Sequence, residues 1–205
     1  MTARDQILAR IRAANATAHA HETPVPRGYE RRSPHVPGSP ELLDLLTDRL
    51  VDYKATVVRV RPGEVEAALA EALAPYATVL LPPDAPWGLA GTRDDAGLGP
   101  HDLDRFSAVV TGCAVACAET GTIALDAGPA QGRRAITLVP DVHVCVVHAD
   151  QVVGSVPEML AALTPTRPIT FISGPSATSD IELQRVEGVH GPRTLIVVLT
   201  DRRDA

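Results

Sequence analysis

Ile7, Leu8, Ile11, Ala14 and Ala18 recur in steps of three and four residues, a spacing that predicts an amphipathic helix over residues 3–18. The next stretch, HETPVPRGYERRSPHVPGSP, loses that period and is dense in proline and charge, the composition of an extended arm. Order resumes at Ser39-Pro40-Glu41, which places a capping hydroxyl, a first-turn proline and an acid at the positive end of a helix dipole. Leu42, Leu46, Leu50 and Tyr53 give that helix its buried stripe. From there the period alternates. ATVVRV reads as a strand and GEVEAALAEAL as a helix with Val65, Ala68, Leu69, Ala72 and Leu73 on one face. ATVLL, SAVVTG, AITLVP, HVCVVH, PITFIS and TLIVVLT read as further strands, and VPEMLAAL as a helix among them. Strands rich in β-branched residues and separated by helices predict an α/β fold, an open and mostly parallel sheet flanked by helices. The expected organisation is an N-terminal helix and Pro-rich arm over 1–38 and one domain over 39–205.

A chain of 205 residues, 45% hydrophobic and 21% charged, is long enough to bury one sizeable core. Its net charge of −6 gives no footing for nucleic acid or an anionic membrane, because phosphate contacts need clustered cations. The charge is uneven: residues 1–38 hold six arginines against Asp5, Glu22 and Glu30, a local +3 that leaves −9 to the rest. Aromatic residues make up only 3%, too few for a base- or sugar-stacking platform. Cys113, Cys117 and Cys145 are sparse and odd in number, which fits a reducing compartment. No apolar run is long enough to span a bilayer, so the expected location is the cytoplasm.

Several chemistries lack their motifs. Neither G-x-G-x-x-G nor the phosphate loop ending in Gly-Lys-Ser/Thr occurs, and there is no G-x-S-x-G elbow. Cys113 and Cys117 are four apart, without the C-x-x-C run of an iron–sulfur cluster, and read as small core residues. His143, Cys145 and His148 resemble a metal set until strand parity is applied. His143 and Cys145 share one face while His148 points to the other, so the three cannot meet at one ion.

Three stretches keep chemical interest. In AETGTIALDAGPAQGR, Glu119 stands beside Thr120, Gly121 and Thr122, on what reads as strand, glycine turn, short helical piece and strand. The turn through Gly128, Gln131 and Gly132 offers backbone donors, and Arg133 or Arg134 can fork a carboxylate or phosphate. Two readings fit: an anion pocket, or an acid paired with one of those arginines to cap a turn. In ISGPSATSDIE a strand ends at Ser173 and runs into Gly174, Ser176, Asp180 and Glu182, as at strand carboxyl ends where open α/β sheets bind ligands. A turn with Ser179 and Glu182 as a capping box fits equally. In GVHGP, His190 lies between glycines as a candidate general acid or base, or as a solvated loop histidine.

Taken together, TGCAVACAETGTIALD, GPAQGR, LVPDVHVCVV, ISGPSATSDIE and GVHGPRTLIVVL resemble the successive blocks of the lactate-utilisation (LUD) domain family, closest to its short C-type members. The resemblance covers about residues 40–200. It implies a fold similar to the ribose-phosphate isomerase and CoA-transferase-like group. It also implies a part in oxidising L-lactate to pyruvate beside iron–sulfur partner subunits, as a component of a complex rather than an independent oxidoreductase. This chain has no cysteine-rich cluster motif, so no cofactor or metal is expected on it and clusters are expected in the partners. Carried over by position, the family's pocket falls on Glu119, Thr120, Gly121, Thr122, Gly128, Gln131, Gly132, Arg133, Ser173, Gly174, Ser176, Asp180, Glu182 and His190. Glu119 and His190 are the candidates for catalysis, and the rest for binding a small carboxylate or phosphate. The alternative is a free-standing enzyme acting on a phosphorylated or CoA-linked small molecule.

Overall fold

The computed structural model describes residues 2–17, 25–93, 96–174, 177–178, 186–187 and 191–201. Two compact units result, Met1–Glu30 and Arg31–Ala205. The first contains α1 (Ala3–Thr17), where the helical spacing predicts it, with Ile7 and Ile11 exposed.

The second unit opens on α2 (Pro40–Asp52), with Pro40 in its first turn and Leu42, Leu43, Leu46 and Leu50 buried. Ser39 takes the extended N-cap conformation, but its hydroxyl makes no capping hydrogen bond. The alternation expected next is present as β1 (Thr56–Val60), α3 (Val65–Leu73) and β2 (Val79–Leu80). A single turn, α4 (Pro100–Leu103), leads into β3 (Ala108–Thr111). The rest comprises β4 (Val115–Cys117), β5 (Thr122–Leu125), β6 (Val142–His148), β7 (Val152–Val153), α5 (Val156–Ala162), β8 (Thr170–Ile172), β9 (Ala177–Thr178), β10 (Val186–Glu187) and β11 (Thr194–Thr200).

Five strands form a wholly parallel sheet in the order β1-β11-β6-β3-β2. Its central strands are buried on both faces, and successive residues serve different cores. Leu195, Val197, Leu199, Cys145 and Val147 pack with the leucines of α2. Ile196, Val198, Val144 and Val146 pack with Val65, Leu69 and Leu73 of α3. A second sheet, β7-β4-β5-β8, is mixed, with β5 antiparallel to both neighbours and β7 parallel to β4. Ala116, Ile123 and Leu125 of this sheet join the α2 core, while Val115, Cys117 and Ala124 face Met159 of α5. The layers are therefore α3, parallel sheet, α2, mixed sheet and α5. A two-stranded antiparallel ribbon, β9 with β10, completes the described strands.

Two local expectations are corrected. The alanine-rich stretch around residue 116 is strand β4, not a short helical piece, because pairing with β5 and β7 outweighs alanine's helix propensity. AITLVP is not a strand: Arg134–Thr137 makes a single 3₁₀ turn, with Ile136 and Thr137 buried.

Candidate functional site

Parallel strands point their carboxyl ends to one side, where the loops that follow them gather. Here they enclose a cleft of ≈ 630 Å³. Gly63 comes from the turn after β1 and Val65 and Glu66 from the start of α3, Pro86 and Trp87 come from the loop after β2, and Gly112 and Cys113 follow β3. His148 ends β6 and Gln151 follows it. The mixed sheet adds Asp126, Pro129, Ala130 and Gln131 from beyond β5, and Arg167 from the loop before β8.

The cleft walls are fixed by specific bonds. Gln151 donates to the Cys113 carbonyl (2.6 Å) and accepts from the His148 N–H (3.0 Å), joining the loops after β3 and β6. Glu66 accepts from the Gly88 N–H at 2.7 Å, and Arg93 donates to the carbonyls of Ala85 and Trp87, so the loop carrying Trp87 is held from two sides. Asp84 of the same loop accepts from the Ala130 N–H at 2.9 Å. Ala130 and Ala127 both have left-handed backbone, φ +58 and +55, a conformation costly for alanine and recurrent beside binding sites.

The polar end is built on Asp126, which is 5% exposed. Its backbone N–H donates to the Gln131 Oε1 (2.7 Å), and its carboxylate accepts from the Thr164 N–H (3.3 Å) and faces the Arg167 guanidinium at 3.8 Å. Gln131, only 3% exposed, lines the cleft with its Oε1 held by this bond. Gly128 makes this convergence possible: a Cβ there would stand 2.9 Å from Asp126 Oδ1, 3.0 Å from Gln131 Nε2 and 3.4 Å from Arg167 Nη1. Arg167 keeps about half its side chain exposed, and its guanidinium makes no hydrogen bond to any described residue.

The positions expected to form one pocket divide into two groups. Gln131 lines the cleft and Gly128 packs beside it, whereas Glu119, Thr120, Gly121, Thr122, Ser173 and Gly174 gather at the other end of β5. Strand β4 runs out from the cleft, turns at residues 118–121, and β5 runs back, so four residues of strand, about 13 Å, separate the groups. Glu119 is exposed on this turn; its N–H donates to the Gly154 carbonyl (3.2 Å), and its carbonyl accepts from Arg49 (3.3 Å). Thr120 donates to the Thr122 hydroxyl (2.9 Å), which bonds the Ser173 hydroxyl (2.9 Å). Gly121 (φ +62) and Gly174 (φ +90) press against Arg49 and Tyr53 at the end of α2. The expected pairing of Glu119 with an arginine of the 128–134 turn is absent among the described residues, because the hairpin sends them to opposite ends. Arg133 instead donates to the Leu98 carbonyl (2.6 Å), and Gly132 packs on Ile136 and Pro82. Ser176, Asp180, Glu182 and His190 lie outside the described residues.

His143 and His148 do diverge as strand parity requires. His143 is fully buried against the Thr111 hydroxyl (2.8 Å), and burial pushes its pKa down to about 4, while His148 faces the cleft. Among the described residues no three His, Cys, Asp or Glu side chains are placed to hold a metal ion.

Residues 101–200, which supply both groups, match the LUD domain family. Lactate utilization protein C of Deinococcus radiodurans is 49% identical over 168 residues, covering 78% of this chain and 79% of that one. Lactate utilization protein C of Geobacillus thermodenitrificans is 28% identical over 79% of this chain and 80% of its own. The crystal structure of a DUF162 family protein from Deinococcus radiodurans superposes with a TM-score of 0.67 at 42% identity, covering 78% of this chain and 96% of that one. The chain belongs to the LUD domain family. Within this LUD domain, Glu66, Trp87, Asp126, His148, Gln151 and Arg167 are among the cleft residues that sequence reasoning missed. Asp126 was visible as the acid that ends a strand before a glycine turn. Arg167 carried no local signal, since only the pairing of Leu125 with Thr170 brings its loop to Asp126.

Proposed function

We propose that this LUD domain serves lactate utilisation by binding an organic anion in the cleft at the carboxyl ends of its parallel strands. The observation that carries the reading is the convergence of Arg167 and Gln131 beside the buried Asp126. A guanidinium and a side-chain amide on one wall suit a carboxylate, the functional group shared by lactate and pyruvate. The names borne by the relatives support the pathway.

In this reading the electrons leave lactate through iron–sulfur subunits that associate with the chain. The three cysteines here are buried and lack cluster spacing, with Cys113 at the cleft wall. Among the described residues no helix is long and apolar enough to cross a membrane, and the proposed location is the cytoplasm. The exposed Glu119 turn, with its hydroxyl chain to Ser173, serves the architecture around α2 in this account.

Deleting the gene should abolish growth on L-lactate as sole carbon source while growth on glucose continues. An affinity-tagged chain should recover iron–sulfur proteins from lactate-grown cells. Unimpaired growth of the deletion strain on lactate would contradict the pathway, and recovery of the chain alone would contradict the complex.

A further inference from the structure

Resting on the reading of the cleft as an organic-anion site, we infer that its ligand is a singly charged carboxylate with an uncharged, partly apolar body larger than lactate. Phosphorylated and CoA-linked compounds are then the wrong class. Charge balance is the first argument. Among the described residues, the carboxylates and guanidinium lining the cleft are Glu66, Asp126 and Arg167, a formal −1. Asp126 already faces the Arg167 guanidinium, and Glu66 is held against the Gly88 N–H. One added carboxylate can share Arg167 and Gln131, but a phosphate ester or pyrophosphate would bring a second or third charge toward two fixed acids. Sites for such groups supply several cations or a run of free backbone donors.

Size and lining give the second argument. A cleft of ≈ 630 Å³ lies in the range that encloses a drug-sized molecule, and a three-carbon acid would fill only a fraction of it. Away from Arg167 the described walls combine apolar Val65, Pro86, Trp87 and Pro129 with Glu66, His148 and Gln151, a lining that accommodates a partly apolar body. The loop bearing Trp87 is clamped by Glu66 and Arg93, so this apolar wall is already formed.

The chain's only tryptophan therefore stands in the cleft and reports its occupancy. The full chain is titrated, following tryptophan emission and calorimetric heat, with L-lactate, biphenyl-4-carboxylate, its neutral carboxamide, ribose 5-phosphate and CoA. Biphenyl-4-carboxylate should bind at least tenfold tighter than L-lactate, the carboxamide, ribose 5-phosphate or CoA. That affinity should fall at least tenfold in Arg167→Gln and in the double variant Asp126→Asn/Arg167→Gln, which removes the buried acid together with its partner. Arg193→Gln, at an arginine paired with Asp141 outside the cleft, should leave it unchanged. Ribose 5-phosphate or CoA binding as tightly as the aryl carboxylate, or lactate equalling it, would overturn the inference while leaving an anion site in place. Binding indifferent to Arg167, or no binding of any probe, would overturn the cleft reading as well.

Discussion

Gly121 has two reasons to be glycine, and neither is a ligand. Its φ of +62 lies in the left-handed region, and a Cβ would stand 2.6 Å from the Cβ of Arg49. Gly121→Ala should cost on the order of 2–4 kcal/mol, combining the backbone penalty with overpacking against α2, measurable as a lower urea midpoint. His143 gives a second residue-level expectation. Its folded pKa of about 4 lies below the ordinary 6.5, so the folded state refuses a proton that the unfolded chain accepts. The resulting stability is complete above pH 6.5, declines as pH falls, and is lost by about pH 4, a total of about 3 kcal/mol. His143→Gln should flatten the loss of stability between pH 6.5 and 5, and an unchanged slope would show that another group controls it. At this scale the sequence was half legible. Gln131 lines the cleft and Gly128 packs beside it, yet Glu119 and Gly121 share their motif and lie a strand away. Local spacing records that glycines and acids cluster; it does not say which end of a hairpin each occupies.

Among the elements, periodicity located the five parallel strands and their helices, most plainly where burial of the central strands on both faces demands continuous β-branched runs. It failed where pairing partners decide. The alanines before Glu119 read as helical, but a strand position between β5 and β7 claims their backbone donors and acceptors. AITLVP had strand composition, but its Ile136 fills a core with Leu80, Leu103 and Val109 from a 3₁₀ turn. The arm supplies a prediction at this scale. Ser33 N–H donates to Glu158 (3.2 Å) and Gly38 N–H to the Val152 carbonyl (2.8 Å), contacts made inside the larger unit. Removing residues 1–30 should leave the melting temperature of the remainder nearly unchanged. Removing residues 1–38 loses both bonds, each worth about 1 kcal/mol, and should lower it by several degrees. Equal melting temperatures for the two truncations would deny residues 31–38 a part in the fold.

For the molecule as a whole, two sheets share the α2 core, and the parallel sheet lends its carboxyl ends to a cleft closed by the mixed sheet. Asp126, Gln131 and Arg167 reach one place only because β5 carries the first two there and β8 pairs with β5. The claim at stake is that lactate utilisation runs through this cleft and not through the exposed Glu119 turn. It is tested by growth on L-lactate of a strain lacking the gene and carrying either Arg167→Gln or Glu119→Gln, with protein abundance and melting temperature measured for both. Arg167→Gln should fail to restore growth at normal abundance while Glu119→Gln grows as the wild type does. Wild-type growth with Arg167→Gln, or failure confined to a stable Glu119→Gln, would contradict it.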